Sequence, residues 1–328
     1  MVPNLDLRCR STGIESKLRY RSDRRAMSAT TTVTAQLVTD LRDLIGDDKL
    51  VGVAIDYDFE PIVFCHHRDE PAHPVLAAWA KELGDPWKSM LRVWHGQGTA
   101  WAYVDLPIEL RFGTVQRVSD GRWLVVISRA KEPEHNATLF SSDGAVLGTF
   151  HAGDAIEDAQ VTPDGRVWLS NFDEGVFSDD SELSEGLICL DLLGRPVFRY
   201  SSVVNDPDVS IADCYAINVV SETETWLCPY TDFPLVQLKT YEITGVWKGL
   251  APPGSHAFAV YDSTALFAPG YHSETFTFLD FTSREVRKLR VVTRNGRHIG
   301  QRHMCAARGS KVYAIDDGRL YLVDLTRI

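Results

Sequence analysis

Short apolar runs recur along the chain at a regular spacing. From residue 50 onward, runs about four to eight residues long are wholly apolar or alternate apolar with polar positions, and clusters of Gly, Asp, Asn or Pro separate them. Period-two alternation bounded by turn residues predicts strands. The clearest pair lies in IEDAQVTPDGRVWLSNFDEGVF, residues 156–177. Residues 159–162 and 166–170 are joined there by Pro163-Asp164-Gly165, and Asp-Gly between two such runs is a strong hairpin signal because glycine takes positive φ without steric cost. Runs at 114–118 and 123–128 flank Ser119-Asp120-Gly121 in the same way, and 137–140 and 146–150 flank Asp143-Gly144.

Further runs fall at 187–190 and 196–200, then 214–219, 225–228, 235–238 and 244–247, then 257–260, 265–267, 275–281 and 285–292, and last 304–307, 311–315 and 319–325. Upstream, 50–55, 61–65, 91–94 and 100–104 supply four more. Units of about 45 residues with four strands each are the signature of a β-propeller. The predicted fold class is therefore all-β: a six-bladed β-propeller with a short N-terminal helix and a small inserted helix. Its blades span about 50–106, 112–150, 158–200, 213–248, 256–292 and 303–325. One unit cannot bury its apolar faces alone, whereas a closed ring buries each against a neighbour. A β-sandwich explains the strands but not the period. The last unit has only three strands, so either it is incomplete or an N-terminal segment supplies the fourth.

The two helices are read from 32–45, where Leu37, Val38, Leu41, Leu44 and Ile45 form one apolar stripe, and from VLAAWAKEL at 75–83. Residues 32–328 are expected to form one propeller domain behind a basic leader at 1–31. That leader carries Arg8, Arg10, Lys17, Arg19, Arg21, Arg24 and Arg25 against Asp6, Glu15 and Asp23. With so few apolar residues it reads as disordered, or as the product of an upstream start before Met27; a basic arm for an acidic surface is the alternative. It lacks the apolar core of a secretory signal.

The rest is an ordinary globular composition, 44% hydrophobic and 24% charged. No apolar run approaches the roughly 18 residues needed to cross a bilayer. A net charge of −11 argues against a nucleic-acid partner. Six cysteines (Cys9, Cys65, Cys189, Cys214, Cys228 and Cys305) show no metal-binding spacing, which fits reduced thiols and a cytoplasmic location. Cys214 and Cys228 are symmetric about Ser221 in a predicted hairpin, so they stand as an opposed pair or as two small buried apolar side chains.

Chemistry is sought where a propeller gathers it. The start of each inner strand and the end of the second strand share one face, while turn aspartates such as Asp120 and Asp164 lie on the other and serve turn geometry. Aligned on the inner strand, Thr114, Asp158, Asp213, His256 and His303 fall at equivalent places around the channel. Asp158, Asp213, His256 and His303 could hold a divalent metal (Ca, Zn or Mn), act as an acid–base set, or simply bind backbone amides. No cofactor is otherwise implied. Loops on that face add Asn171, Asp173 and Glu174, then Tyr230 and Asp232, then Tyr271; Phe172, Phe177 and Phe233 accompany them. Aromatics with a few placed polar groups describe a small-ligand site, or rings tucked under loops. On the second strands Leu124, Trp168, Trp226, Leu266 and Tyr313 align as packing between blades. His66-His67 and the acidic run at 178–182 read as solvated loops. No dinucleotide fingerprint, P-loop, zinc-protease or nucleophile-elbow motif occurs.

VTPDGRVWLS followed by GLICLDLLGRPV resembles blades of the NHL and gluconolactonase or senescence-marker-like propellers. IEDAQVTPDGRVWLSNFDEGVF, IADCYAINV (211–219) and TDFP (231–234) resemble a family of uncharacterised bacterial propeller-like proteins, over roughly residue 111 to the C-terminus. The second resemblance implies fold and no assigned activity. The first implies a metal held by acidic and Asn residues at the channel mouth, for which Asp158, Asn171 and Asp213 are the nearest matches by position; the leading Glu of that set is not evident. The leading expectation is a cytoplasmic binding scaffold for a small molecule or a protein partner, with a metal-dependent lactonase-type hydrolase as the alternative.

Overall fold

The computed structural model describes residues 31–68, 89–130, 134–180, 182–300 and 304–328. Residues 1–30 of the leader, the predicted helix at 75–83 and His303 lie outside the described residues, whereas Thr31, assigned to the leader, begins a strand. Six antiparallel sheets form a six-bladed β-propeller. Blade I holds Lys49–Ile55, Pro61–Arg68, Ser89–Gln97 and Ala100–Leu106, and blade II Gly113–Arg117, Trp123–Ile127, Ala137–Phe140 and Val146–Phe150. Blade III holds Ile156–Val161, Val167–Asn171, Leu187–Leu190 and Pro196–Arg199, and blade IV Asp213–Ser221, Glu224–Tyr230, Leu235–Lys239 and Glu242–Trp247. Blade V holds Phe258–Tyr261, Thr264–Phe267, Phe276–Asp280 and Glu285–Val292. Blade VI has Met304–Arg308, Lys311–Asp316 and Arg319–Asp324. The first strands of successive blades contact one another, so they wall a central channel.

The fourth strand of blade VI comes from the N-terminal side. Gln36–Asp40 pairs antiparallel with Arg319–Asp324 and ties the two ends of the ring together. Just upstream, Thr31–Thr34 runs parallel to Glu285–Val292 and adds a fifth strand to blade V. The helix expected over 32–45 is thereby corrected: only Leu41–Ile45 is helical, started by Asp40, whose side chain accepts from the Arg42 backbone N–H. Thr31, Thr32, Val33 and Thr34 are β-branched, and two bare sheet edges offer them a full set of backbone partners. That outweighs an apolar stripe at helical spacing.

The tight turns follow the sequence chemistry. At 162–166, Gly165 sits at φ 82°, the Thr162 hydroxyl donates to Asp164, and the Arg166 N–H donates back to Thr162 Oγ1 at 3.1 Å. Leu124, Trp168, Trp226, Leu266 and Tyr313 are all buried between blades, at 3% exposure or less.

Three further expectations are corrected. His66 and His67 belong to the strand Pro61–Arg68, not a loop, and His67 Nδ1 lies 2.8 Å from Asp48 Oδ1. Asp180 in the acidic run is buried rather than solvated; it accepts from the backbone of Glu182 and Leu183 and pairs with His151 at 2.8 Å. Cys214 and Cys228 are not directly opposed, because a bulge pairs Cys214 with Pro229 and Ala216 with Cys228; both are buried free thiols. Among the described residues no helix is long and apolar enough to cross a membrane.

Candidate functional site: an acidic channel mouth with an aromatic wall

The channel opens where the inner strands begin. It is a cavity of about 240 Å³ whose wall draws on all six blades, with Thr114, Gln116, Glu157, Asp158, Gln160 and His256 as its polar lining. Strand alternation alone would send only one of two consecutive side chains toward the axis. Blade III escapes that rule through a bulge: Ile156 pairs with Asn171 and Asp158 with Ser170, leaving Glu157 as the extra residue. Glu157 and Asp158 therefore both line the channel. Blade IV carries a bulge at the equivalent place, with Tyr215 as the extra residue.

Glu157 Oε1 lies 2.7 Å from His256 Nδ1, and this contact holds the imidazole pKa above its ordinary value. Asp158 is partly exposed to the channel, yet the packed strands desolvate its carboxylate and push its pKa up to about 7. Ala159 N–H at 2.8 Å and Gln160 Nε2 at 3.1 Å donate to it but do not outweigh that desolvation. Asp213 is raised to about 6, first by desolvation and then by the charges of Glu157 and Asp173. Its Oδ1 is buried without a hydrogen-bond partner.

An aromatic wall rises beside these groups. Tyr215 stands at its centre, with ring centroids 5.0 Å from His256, 5.2 Å from Phe233, 5.9 Å from Tyr271 and 6.2 Å from Tyr230. The Tyr215 and Tyr271 hydroxyls hydrogen-bond to each other. Gly254, at φ 71°, lets the Tyr271 ring close in: a Cβ there would meet the ring at 2.4 Å. Phe233 is buried, while Tyr230 and Tyr271 are exposed at 41% and 48%.

Deeper along the inner strands lies a buried polar layer of Gln116, Gln160, Asn218 and Arg308, of which Gln116 and Gln160 stand two residues beyond Thr114 and Asp158. Arg308 donates to Val219 O and Val161 O at 2.9 Å each, and to Gln116 Oε1 at 3.4 Å. Gln160 Nε2 reaches Ala307 O at 3.2 Å, and Asn218 Nδ2 reaches Gly309 O at 3.0 Å. Blades III and VI face each other across a six-membered ring, so these bonds cross the axis and give the mouth a floor. Burial lowers the Arg308 pKa to about 10, which leaves the guanidinium charged at neutral pH.

The sequence-predicted residues divide between the mouth and its surroundings. Thr114, Asp158 and His256 line the channel; Asp213 and Asp173 interact electrostatically beside it; Tyr230 and Tyr271 belong to the wall. Asn171 is fully buried away from the channel, donating to Glu185 O at 2.7 Å. Glu174 is turned to Arg129, which also pairs with Asp154 at 3.2 Å. Asp232 is exposed on the loop after Tyr230. Glu157, Tyr215 and the amide–arginine floor were not anticipated. No sequence signal marks the first two, because a bulge adds a residue to one strand without changing its composition.

Among the described residues, no three His, Cys, Asp or Glu side chains are grouped so as to hold a metal ion. Asp158, Asp213 and His256 do not form such a group by themselves, and His303, the fourth residue named for it, lies outside the described residues. Cys305 lines the channel and the crevice next to it, and burial pushes its thiol up to about 12, which disfavours the thiolate at neutral pH.

The fold and this mouth define a six-bladed β-propeller with a floored, acidic channel opening. The model of the YxzG family matches residues 187–323, from the third strand of blade III to the third strand of blade VI. No curated protein matches the chain. Among solved structures it is similar to a protein of unknown function from Bacteroides caccae, solved at 1.35 Å. The two are 14% identical with a TM-score of 0.41, over 72% of this chain and 86% of that one. A relation to NHL or gluconolactonase propellers is not shown by these findings.

Proposed function

We propose that this propeller is a cytoplasmic binding scaffold that takes a small ligand in its channel mouth. One observation carries the reading: Glu157 and Asp158 of blade III and His256 at the entry to blade V line one floored cavity, and Asp213 of blade IV stands beside it within electrostatic reach of Glu157 and His256, next to exposed tyrosines. A mouth that served only the fold would have no reason to desolvate Asp158 and Asp213, since each raised carboxyl costs stability at neutral pH. Ligand pockets run upward from about 300 Å³, so a 240 Å³ cavity suits a ligand smaller than a typical drug. A protein partner fits less well, because the converging groups line a recess rather than a flat face. The hydrolase reading needs a metal-binding set that the described residues do not complete.

A thermal-shift screen of small metabolites tests the reading. A ligand of the mouth raises the Tm of the parent protein, and Asp213→Asn or Thr114→Val abolishes that rise. Stabilising compounds whose effect survives both substitutions would place binding elsewhere and overturn the reading.

A further inference from the structure

We propose that the ligand of the mouth is a small organic cation, an amine or alkylated ammonium, taken up with release of protons; this rests on the reading of the mouth as a ligand site. The charge pattern carries the first part. His256 is engaged by Glu157, and Glu174 by Arg129. That leaves Asp158, Asp173 and Asp213 with no ion-pair partner among the described residues, and Asp213 keeps a buried oxygen with no hydrogen bond at all. The cations that face them are His256 across the mouth and Arg308 in the floor, and Arg308 is committed to carbonyl and amide oxygens. The surplus is negative, so an anion is disfavoured. A neutral polyol would leave desolvated carboxylates uncompensated, whereas a cation would offset them.

The wall carries the second part. Tyr230 and Tyr271 keep exposed rings beside the acids, and a ring face attracts an organic cation within about 6 Å of its centroid. A bare metal ion would want three or more closely grouped ligands instead. A cation entering the mouth also favours the charged form of Asp158 and Asp213 and the neutral form of His256. All three responses release protons, so their effects add.

Calorimetric titration with choline and with n-butylamine, each beside a neutral control, tests the idea. The control for choline is 3,3-dimethylbutan-1-ol, in which carbon replaces the charged nitrogen; glucose serves as a neutral polyol. At about pH 6.5, between the Asp213 and Asp158 values, a cation is expected to bind with heat that varies with the buffer's ionisation enthalpy, the mark of proton release. Its affinity should fall roughly tenfold or more as the pH drops below about 5.5. Asp213→Asn should weaken it about tenfold or more, and Tyr271→Leu, at an exposed site safe for folding, severalfold. Equal binding of choline and its neutral isostere, or binding of glucose without either amine, would overturn the cation and leave the mouth as a ligand site. Amine binding untouched by both substitutions, or none at millimolar concentration, would overturn it as well; the metabolite screen then decides separately whether the mouth binds anything.

Discussion

Replacing Asp158 by asparagine removes a charge from the most desolvated acid of the mouth while keeping the shape of the side chain. The folded carboxyl titrates at about 7 against an ordinary 3.8. At about 1.4 kcal/mol per pH unit, that displacement corresponds to roughly 4 kcal/mol of destabilisation once the group is ionised. Channel water screens part of it, so about 2–4 kcal/mol is a fair range. Arg308 below attracts the charge, but that attraction is a smaller influence than burial, which dominates. The sign follows from proton counting. Below pH 3.8 both folded and unfolded chains hold the proton, and the carboxyl costs nothing. Between 3.8 and about 7 the unfolded chain gives it up first, so stability falls as pH rises; above 7 the whole penalty is present.

Asp158→Asn should therefore be near neutral at about pH 4 and more stable than the parent by about 2–4 kcal/mol at about pH 8. Urea unfolding with linear extrapolation at several pH values measures the difference directly. A variant that loses the same stability at every pH would refute the reasoning, because it would make Asp158 a hydrogen-bonding strut rather than a desolvated charge.

Three other outcomes are expected. Arg308→Met should cost about 3–5 kcal/mol in the same unfolding assay, since it strands the Val161 and Val219 carbonyls in a buried layer, and Arg308→Lys should not restore it because an ammonium lacks the planar fork. Glu157→Gln should move the His256 pKa down toward 6.5, read by NMR titration of the ring; the stability that His256 draws from Glu157 is complete below 6.5 and fades as pH rises through the raised folded value, and the variant should lack that dependence. Deleting residues 31–40 strips the outer strands of blades V and VI; a Tm fall of roughly 10 °C and concentration-dependent association through the bared edges should follow, seen by light scattering.

Blades II to V were legible in the sequence because each apolar run is decided locally, and in blades II and III so is each glycine turn, at Gly121, Gly144, Gly165 and Gly194; the repetition implies the ring. What escaped is decided by pairing with distant residues. The stripe of Leu37, Val38, Leu41, Leu44 and Ile45 satisfies a helix locally, yet the open edges of blades V and VI, far away along the chain at Leu289–Val292 and Arg319–Leu322, recruit 31–40 as strands. The site shows the same division. Thr114 and Asp158 do hold equivalent places, opposite Val126 and Ser170, as alignment of the strand starts predicts; Asp213 does not, because it pairs with Tyr230 and the equivalent place in blade IV is Ala216, opposite Cys228. Glu157 and Tyr215 were not anticipated, because which face a strand residue takes depends on register, and a bulge resets register without changing composition. The same bulge that aims Tyr215 at the mouth also displaced Cys214 from Cys228. Both missed residues are the extra ones of their hairpins, and both are what turn a ring of acids into a site: Glu157 engages His256, and Tyr215 organises the aromatic wall. Regular alternation would have built the same propeller with a plainer mouth, so the irregular positions are where function is most economically sought in the remaining blades. Blade I carries a bulge in its own inner hairpin, with Val51 as the extra residue on the channel wall, and a polar side chain placed there would join Glu157 and Asp158 in lining the channel.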